Sequence, residues 1–294
     1  MDNAEKRKKQ RTGQRYGQQK FTENVFTNLQ RRLQERIDWY NKNEKTSRYT
    51  SRLVIEKYLE LIENKKIKFN GKEKRFKLQR DEQGNDSVHF QSCLQAVSVR
   101  PECEGILLDE EWRSCIEPIF QEEIVREQAK RQNVFISTDE VKKWKVLSTK
   151  GTEAIVYEDP KDETKVLKVM NLHQQDEPTI SEFCCRQIGF NAMFPPTKYE
   201  LVGFTEHETN KTVIPILRQA YINGDELKNL PVEDYNKFVQ QYKKAGFDVE
   251  TGFSTTLKYG NYVATDLHAE NIIKCSKDDR YYAIDAFVRK IQID

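Results

Sequence analysis

From Phe21 onward the apolar side chains Phe26, Leu29, Leu33, Ile37 and Tyr40 return every three or four residues, a spacing that lines one face of a helix. Arg31, Arg32, Glu35 and Arg36 fall mostly off that stripe. A polar break over residues 41–48 precedes a second helical face, formed by Leu53, Val54, Tyr58, Leu61 and Ile62, with Thr50 or Ser51 as its N-cap. A short loop between two such helices predicts a helical hairpin. Ile67 and Phe69 are then separated from Phe76 and Leu78 by Asn70-Gly71, which predicts a β-hairpin over residues 65–79. Residues 80–90 are rich in turn formers. Helical spacing resumes over residues 107–132 through Trp112, Ile116, Ile119, Phe120 and Ile124, with Pro118 kinking that helix or ending it early.

The second half of the chain has a different rhythm. Short β-prone runs occupy residues 146–147, 154–157 and 166–170, and Thr179 caps a helix that ends near Gly189. Strands are predicted at residues 199–204 and 212–217, around a polar turn at 206–211. A helix follows Pro231, with Tyr235, Phe238, Val239 and Tyr242 on its buried face. Two last strands, 272–274 and 281–284, flank a turn at 276–279. The order predicts an α+β protein: an antiparallel sheet with one helix, joined to a mainly helical lobe.

Composition adds two constraints. Residues 1–20 carry seven Lys or Arg against two acidic residues and almost nothing apolar, which predicts a disordered basic tail with a weak electrostatic grip on nucleic acid as its candidate role. No run approaches the roughly 18 apolar residues of a membrane span, and charges occupy the place of a secretion signal's apolar stretch, so no membrane partner and a cytoplasmic location are expected. The six cysteines form no Cys-x-x-Cys pair and read as thiols in a reducing compartment rather than a zinc site.

The chemistry concentrates near the end of the chain. In Asp266-Leu267-His268-Ala269-Glu270-Asn271, an aspartate and an asparagine share one loop, and Asp285 follows fourteen residues later across a predicted hairpin. Phosphoryl transfer from ATP needs these residue types: an aspartate to orient or deprotonate the accepting hydroxyl, and an Asn with a second Asp to offer oxygens to Mg²⁺. Lys168 projects from an alternating strand, where it would meet the α- and β-phosphates. Glu182, on the following helix, is its candidate partner. Gly151 precedes the second strand, where its backbone would cover the phosphates, and Gln219 and Tyr221 lie in the segment against which adenine would dock. His268 reads as structural.

The order Gly151, Lys168, Glu182, Asp266, Asn271, Asp285 resembles the protein-kinase-like superfamily. Asp-Leu-His is similar to the aminoglycoside and choline phosphotransferase branch. Gly151-x-Glu153-x-x-Val156-Tyr157 and Ile284-Asp285-Ala286 resemble the kinase-like domains of polyvalent proteins from phages and conjugative elements. The resemblance implies a two-lobed fold and use of ATP and Mg²⁺ over residues 137–294, with residues 21–136 a mainly helical region of open role: an independent domain, a support for the helical lobe, or a partner interface. Four departures stand out: one glycine in the phosphate loop, Ala264-Thr265 in place of His-Arg, Asp285-Ala286-Phe287 in place of Asp-Phe-Gly, and nine residues after Asp285, which leave no room for an activation segment. The expected activity is phosphoryl transfer to a hydroxyl of a protein or small molecule. The alternative is an inactive pseudokinase or a nucleic-acid-associated accessory protein of a mobile element.

Overall fold

The computed structural model describes residues 3–42, 49–68, 74–81, 84–99, 101–103, 110–149, 154–170, 179–251 and 255–291. The chain opens with α1 (Asn3–Lys42), a 40-residue helix whose buried stripe is Phe21, Val25, Leu29, Leu33 and Ile37. The basic stretch expected to be disordered forms the first turns of this helix. Lys, Arg, Gln, Glu and Ala are strong helix formers, so a helix anchored by its apolar stripe propagates backward at little cost per residue. The partner α2 (Tyr49–Glu63) begins one residue before Thr50, so neither Thr50 nor Ser51 is its N-cap.

The expected hairpin over residues 65–79 does not form. β1 (Ile67–Lys68) pairs instead with β4 (Glu102–Cys103), and the hairpin lies further on, between β2 (Leu78–Arg80) and β3 (Asp86–Val88). Residues 69–73, with Asn70-Gly71, lie outside the described residues. The turn that wins is made by Asp81 and Gly84: Asp81 Oδ1 accepts from the Asn85 amide at 2.7 Å, and Gly84 adopts φ +82°. Helix α3 (Phe90–Val97) follows. The long helix predicted to Gln132 is divided, a π-turn at Trp112–Ile116 passing into α4 (Glu117–Arg131). Pro118 sits in the first turn of α4, where its missing N–H costs nothing.

Beyond α5 (Thr138–Val141) come β5 (Val146–Ser148), β6 (Ala154–Glu158), β7 (Lys165–Met170), α6 (Ile180–Met193), β8 (Glu200–Glu206) and β9 (Val213–Ala220). Among the described residues these strands form an antiparallel seven-stranded sheet in the order β2-β3-β8-β9-β7-β6-β5, so the early hairpin extends the edge of the later sheet. Helix α6 runs past Gly189 to Met193. The glycine is there for contact: an added Cβ would lie 2.8 Å from Val288 Cγ1 and 3.1 Å from the Tyr262 ring.

The remaining elements are β10 (Gly224–Glu226), α7 (Val232–Lys244), β11 (Asp248–Glu250), β12 (Thr255–Tyr259), β13 (Tyr262–Leu267), β14 (Ile272–Cys275), β15 (Tyr281–Ala283) and β16 (Phe287–Lys290). They form two sheets, β11-β12-β13-β16 and β10-β14-β15. This part was expected to be mainly helical. The described chain after α7 is instead mostly strand: Leu257, Ala264 and Val288 stand opposite one another across β12, β13 and β16 and make one buried face, with β16 and β13 packed on α6.

Residues on the two sides of position 137 pack together. Val134 and Ile136 exchange backbone hydrogen bonds with Phe204 in β8, at 2.9 and 2.7 Å, and one apolar cluster runs from Phe21 through Phe204 to Val288. A buried ionic network crosses the same seam. Arg32 of α1 meets Glu122 at 2.6 Å and Glu123 at 3.1 Å on α4, and Glu122 accepts the Val213 amide of β9 at 3.1 Å. Arg126 reaches Glu206 and the Lys211 carbonyl. The N-terminal helices therefore support the seven-stranded sheet and α6, rather than the smaller sheets. No helix of the described residues is long and apolar enough to cross a membrane.

Gly224 fixes how β10 meets β14, since a Cβ there would stand 1.9 Å from the Lys274 carbonyl oxygen. Gly224→Ala is expected to cost at least about 2 kcal/mol by overpacking against backbone, measured by urea unfolding.

Candidate functional site

Lys168 lies on β7, flanked by Leu167 and Val169. It is 6% exposed. Its Nζ donates to the Ile284 carbonyl at 2.9 Å and to Tyr199 Oη at 3.1 Å, and stands 4.0 Å from Asp285 Oδ2. The strand from the first sheet and the loop after β15 thus converge on one point.

The same Ile284 carbonyl accepts from Tyr199 Oη at 2.8 Å and from Gln219 Nε2 at 3.1 Å. Gln219 also donates to the Thr197 carbonyl at 2.7 Å and is 2% exposed. This corrects its expected place in an adenine-facing link. Gln219 lies inside β9 and braces the loop beneath, because its strand position puts it on the same face as Leu217 and opposite Val166. Tyr221, beyond the strand end, is 55% exposed and remains in the connection to β10.

Glu182 does not reach Lys168. It completes a capping box: Thr179 Oγ1 accepts the Glu182 amide at 3.2 Å and donates to Glu182 Oε2 at 2.7 Å. The side chain that α6 sends into the site is Arg186, one turn later. Its Nη2 lies 3.8 Å from Asp285 Oδ1 and donates to the Ala286 carbonyl at 3.4 Å. Gly151 and Glu153 lie outside the described residues, between β5 and β6.

Asp266 ends β13 in a left-handed conformation, φ +60°, which costs a non-glycine residue roughly 1–2 kcal/mol. His268 Nε2 lies 2.6 Å from its Oδ1, so His268, read from sequence as structural, sits directly beside the carboxylate. Asn271 donates its Nδ2 to the Asp266 carbonyl at 3.0 Å, which leaves its Oδ1 as the acceptor end of the amide. The Asn271 carbonyl in turn takes the Ile284 amide at 2.9 Å, locking the two ends of the β14–β15 hairpin one residue from Asp285. A carboxylate and a free amide oxygen are the hard oxygen donors that suit Mg²⁺.

Helix α7 holds that hairpin from below. Gln241 exchanges both hydrogen bonds with the Tyr281 backbone, at 2.7 and 3.0 Å, and Tyr242 Oη accepts the Ala283 amide at 3.4 Å. Burial pushes the Tyr242 hydroxyl up to about 12. Asp234 accepts from Lys274 at 2.8 Å and from Tyr281, and these bonds hold its carboxyl below the ordinary range.

Tyr199, Arg186 and His268 were missed as site residues. Arg186 had a readable signal, since it lies four residues from Glu182 on the same helical face. Tyr199 had none, being placed by the start of β8. Gln219→Leu leaves the buried Thr197 carbonyl without this donor, while Ile284 keeps Lys168 and Tyr199, and is expected to cost about 1–3 kcal/mol in urea unfolding. A residue facing bound adenine from an exposed link would change stability little.

The profile of a family described as Serine/Threonine/Tyrosine Kinase found in polyvalent proteins matches residues 120–292, more than half of the chain. The match begins within α4 and ends just beyond β16, so it takes in every site residue described above. Among curated proteins, none matches. The chain belongs to the family of serine/threonine/tyrosine kinases found in polyvalent proteins.

Proposed function

We propose that the protein is an ATP- and Mg²⁺-dependent phosphotransferase acting on an alcohol hydroxyl of a protein or a small molecule, with a two-lobed arrangement in which the seven-stranded sheet lies above the nucleotide and the β13–β16 region below it. The observation that carries this reading is the convergence of Lys168 on the loop of Asp285, held beside Asn271 by the β14–β15 hairpin. Mg²⁺, held there by Asn271 and Asp285, would supply neutralisation of charge on the transferring group.

The residues divide the work. Lys168 binds the phosphates through charge-assisted bonds from its ammonium group, which the Ile284 carbonyl and Tyr199 hold in place. Asn271 Oδ1 and Asp285 hold the metal. Asp266 aligns the acceptor hydroxyl and takes its proton as the oxygen bonds to the γ-phosphorus and ADP departs with the bridging oxygen. His268 Nε2 stands against Oδ1 of Asp266, which leaves Oδ2 as the oxygen to meet the acceptor.

One observation favours a second reading, nucleotide binding without transfer: Glu182 is occupied by its capping box instead of holding Lys168. A thermal-shift titration with ATP, with and without Mg²⁺, separates binding from its absence, using wild type, Lys168→Met and Asp285→Asn. At about 100 times its dissociation constant a ligand adds roughly 2.7 kcal/mol of stability. Stabilisation of wild type alone, and only with the metal, is expected. Release of ADP that Asp266→Asn abolishes while binding persists then distinguishes transfer from binding alone; no shift with any nucleotide defeats both readings.

A further inference from the structure

Arg186 occupies the face of α6 that Glu182 was expected to supply, and it reverses the charge that the helix delivers. The side chain is 5% exposed, its guanidinium lies 5.0 Å from the centre of the Phe287 ring, and its Nη2 approaches Asp285 Oδ1 at 3.8 Å while bonding the Ala286 carbonyl. Asp285 Oδ1 also accepts the Ala286 amide at 3.0 Å. One carboxylate oxygen is thus approached from two directions, whereas Oδ2 stands 4.0 Å from Lys168, on the side assigned above to the phosphates.

Helix α6 is itself fixed. α3 packs on it from one side, and at Gly189 it approaches Val288 too closely for any side chain. Arg186 therefore reaches Asp285 from a rigid element, the condition for holding a metal ligand in one orientation.

We propose that Arg186 is the positioning residue for Asp285, taking over from the absent Glu182–Lys168 pair the task of coupling α6 to the metal-binding loop. The proposal rests on the reading of Asp285 as a metal ligand. Two effects of the guanidinium oppose each other: its charge weakens cation binding nearby, and its contacts with Asp285 and Ala286 hold the carboxylate still. Positioning is expected to win because Arg186 contacts Oδ1, while Oδ2, on the side of Lys168 and the phosphates, is the oxygen that would meet the metal.

The test is a Mg²⁺ titration at fixed ATP, following thermal stabilisation and, in parallel, Mn²⁺ binding by electron paramagnetic resonance, for wild type, Arg186→Leu and Arg186→Lys. Arg186→Leu is expected to raise the half-saturating metal concentration about tenfold, the size of effect typical for loss of a residue that orients a metal ligand. Arg186→Lys, which keeps a charged donor, is expected to recover most of that loss. An unchanged metal requirement in Arg186→Leu reduces the residue to packing and overturns the proposal, as does a lowered requirement, which would mean that its charge merely repels the cation. If Arg186→Leu does not fold, Arg186→Gln is read by the same criteria. Absence of metal-dependent stabilisation in wild type removes the phosphotransferase reading and this proposal together; its presence in wild type with an identical titration in Arg186→Leu removes this proposal alone.

Discussion

The carbonyl oxygen of Ile284 is the point on which the site depends. It accepts from Lys168, Tyr199 and Gln219, which come from β7, the start of β8 and the end of β9, at 2.9, 2.8 and 3.1 Å. A carbonyl has two lone pairs, so three donors saturate it and share its charge. Because the acceptor is the residue before Asp285, the sheet grips the loop that carries the carboxylate by its backbone. That grip leaves the carboxylate itself to other partners.

The lower attachment of the same loop is equally specific. Asn271 holds the Ile284 amide, while Gln241 and Tyr242 on α7 hold the backbone of β15. The loop is thus pinned through its main chain from above and below, so the positions of Lys168, Asn271 and Asp285 follow from backbone hydrogen bonds more than from contacts among their side chains. Such bonds persist when ligands exchange, which suits a site where a metal and a polyphosphate must enter and leave.

The N-terminal helices belong to this arrangement. Arg32, Glu122, Glu123 and Arg126 form a buried charge network between α1, α4 and the edges of β8 and β9. Buried charges are tolerated only when each has partners, and removing one member strands the others. The family match begins at residue 120, inside that network.

The sequence by itself determined the strands around Lys168, the capped helix after Thr179, the amphipathic helix after Pro231 and the hairpin that returns Asp285 to Asn271. Each follows from local periodicity or turn chemistry, and the spacing of Lys168, Asp266, Asn271 and Asp285 survives because hairpins and short loops have few geometries. Only the tertiary structure decided that Glu182 caps its own helix while Arg186 turns to Asp285. The two lie on one face of α6 a turn apart, and the level at which α6 packs against β16 brings Arg186, not Glu182, beside Asp285. It also decided that β1 pairs with β4, that Gln219 faces inward, that the region after α7 is strand and that the basic stretch is helical. Strand pairing, strand facing and helix extension depend on neighbours distant in the chain, and local pattern carries no information about them.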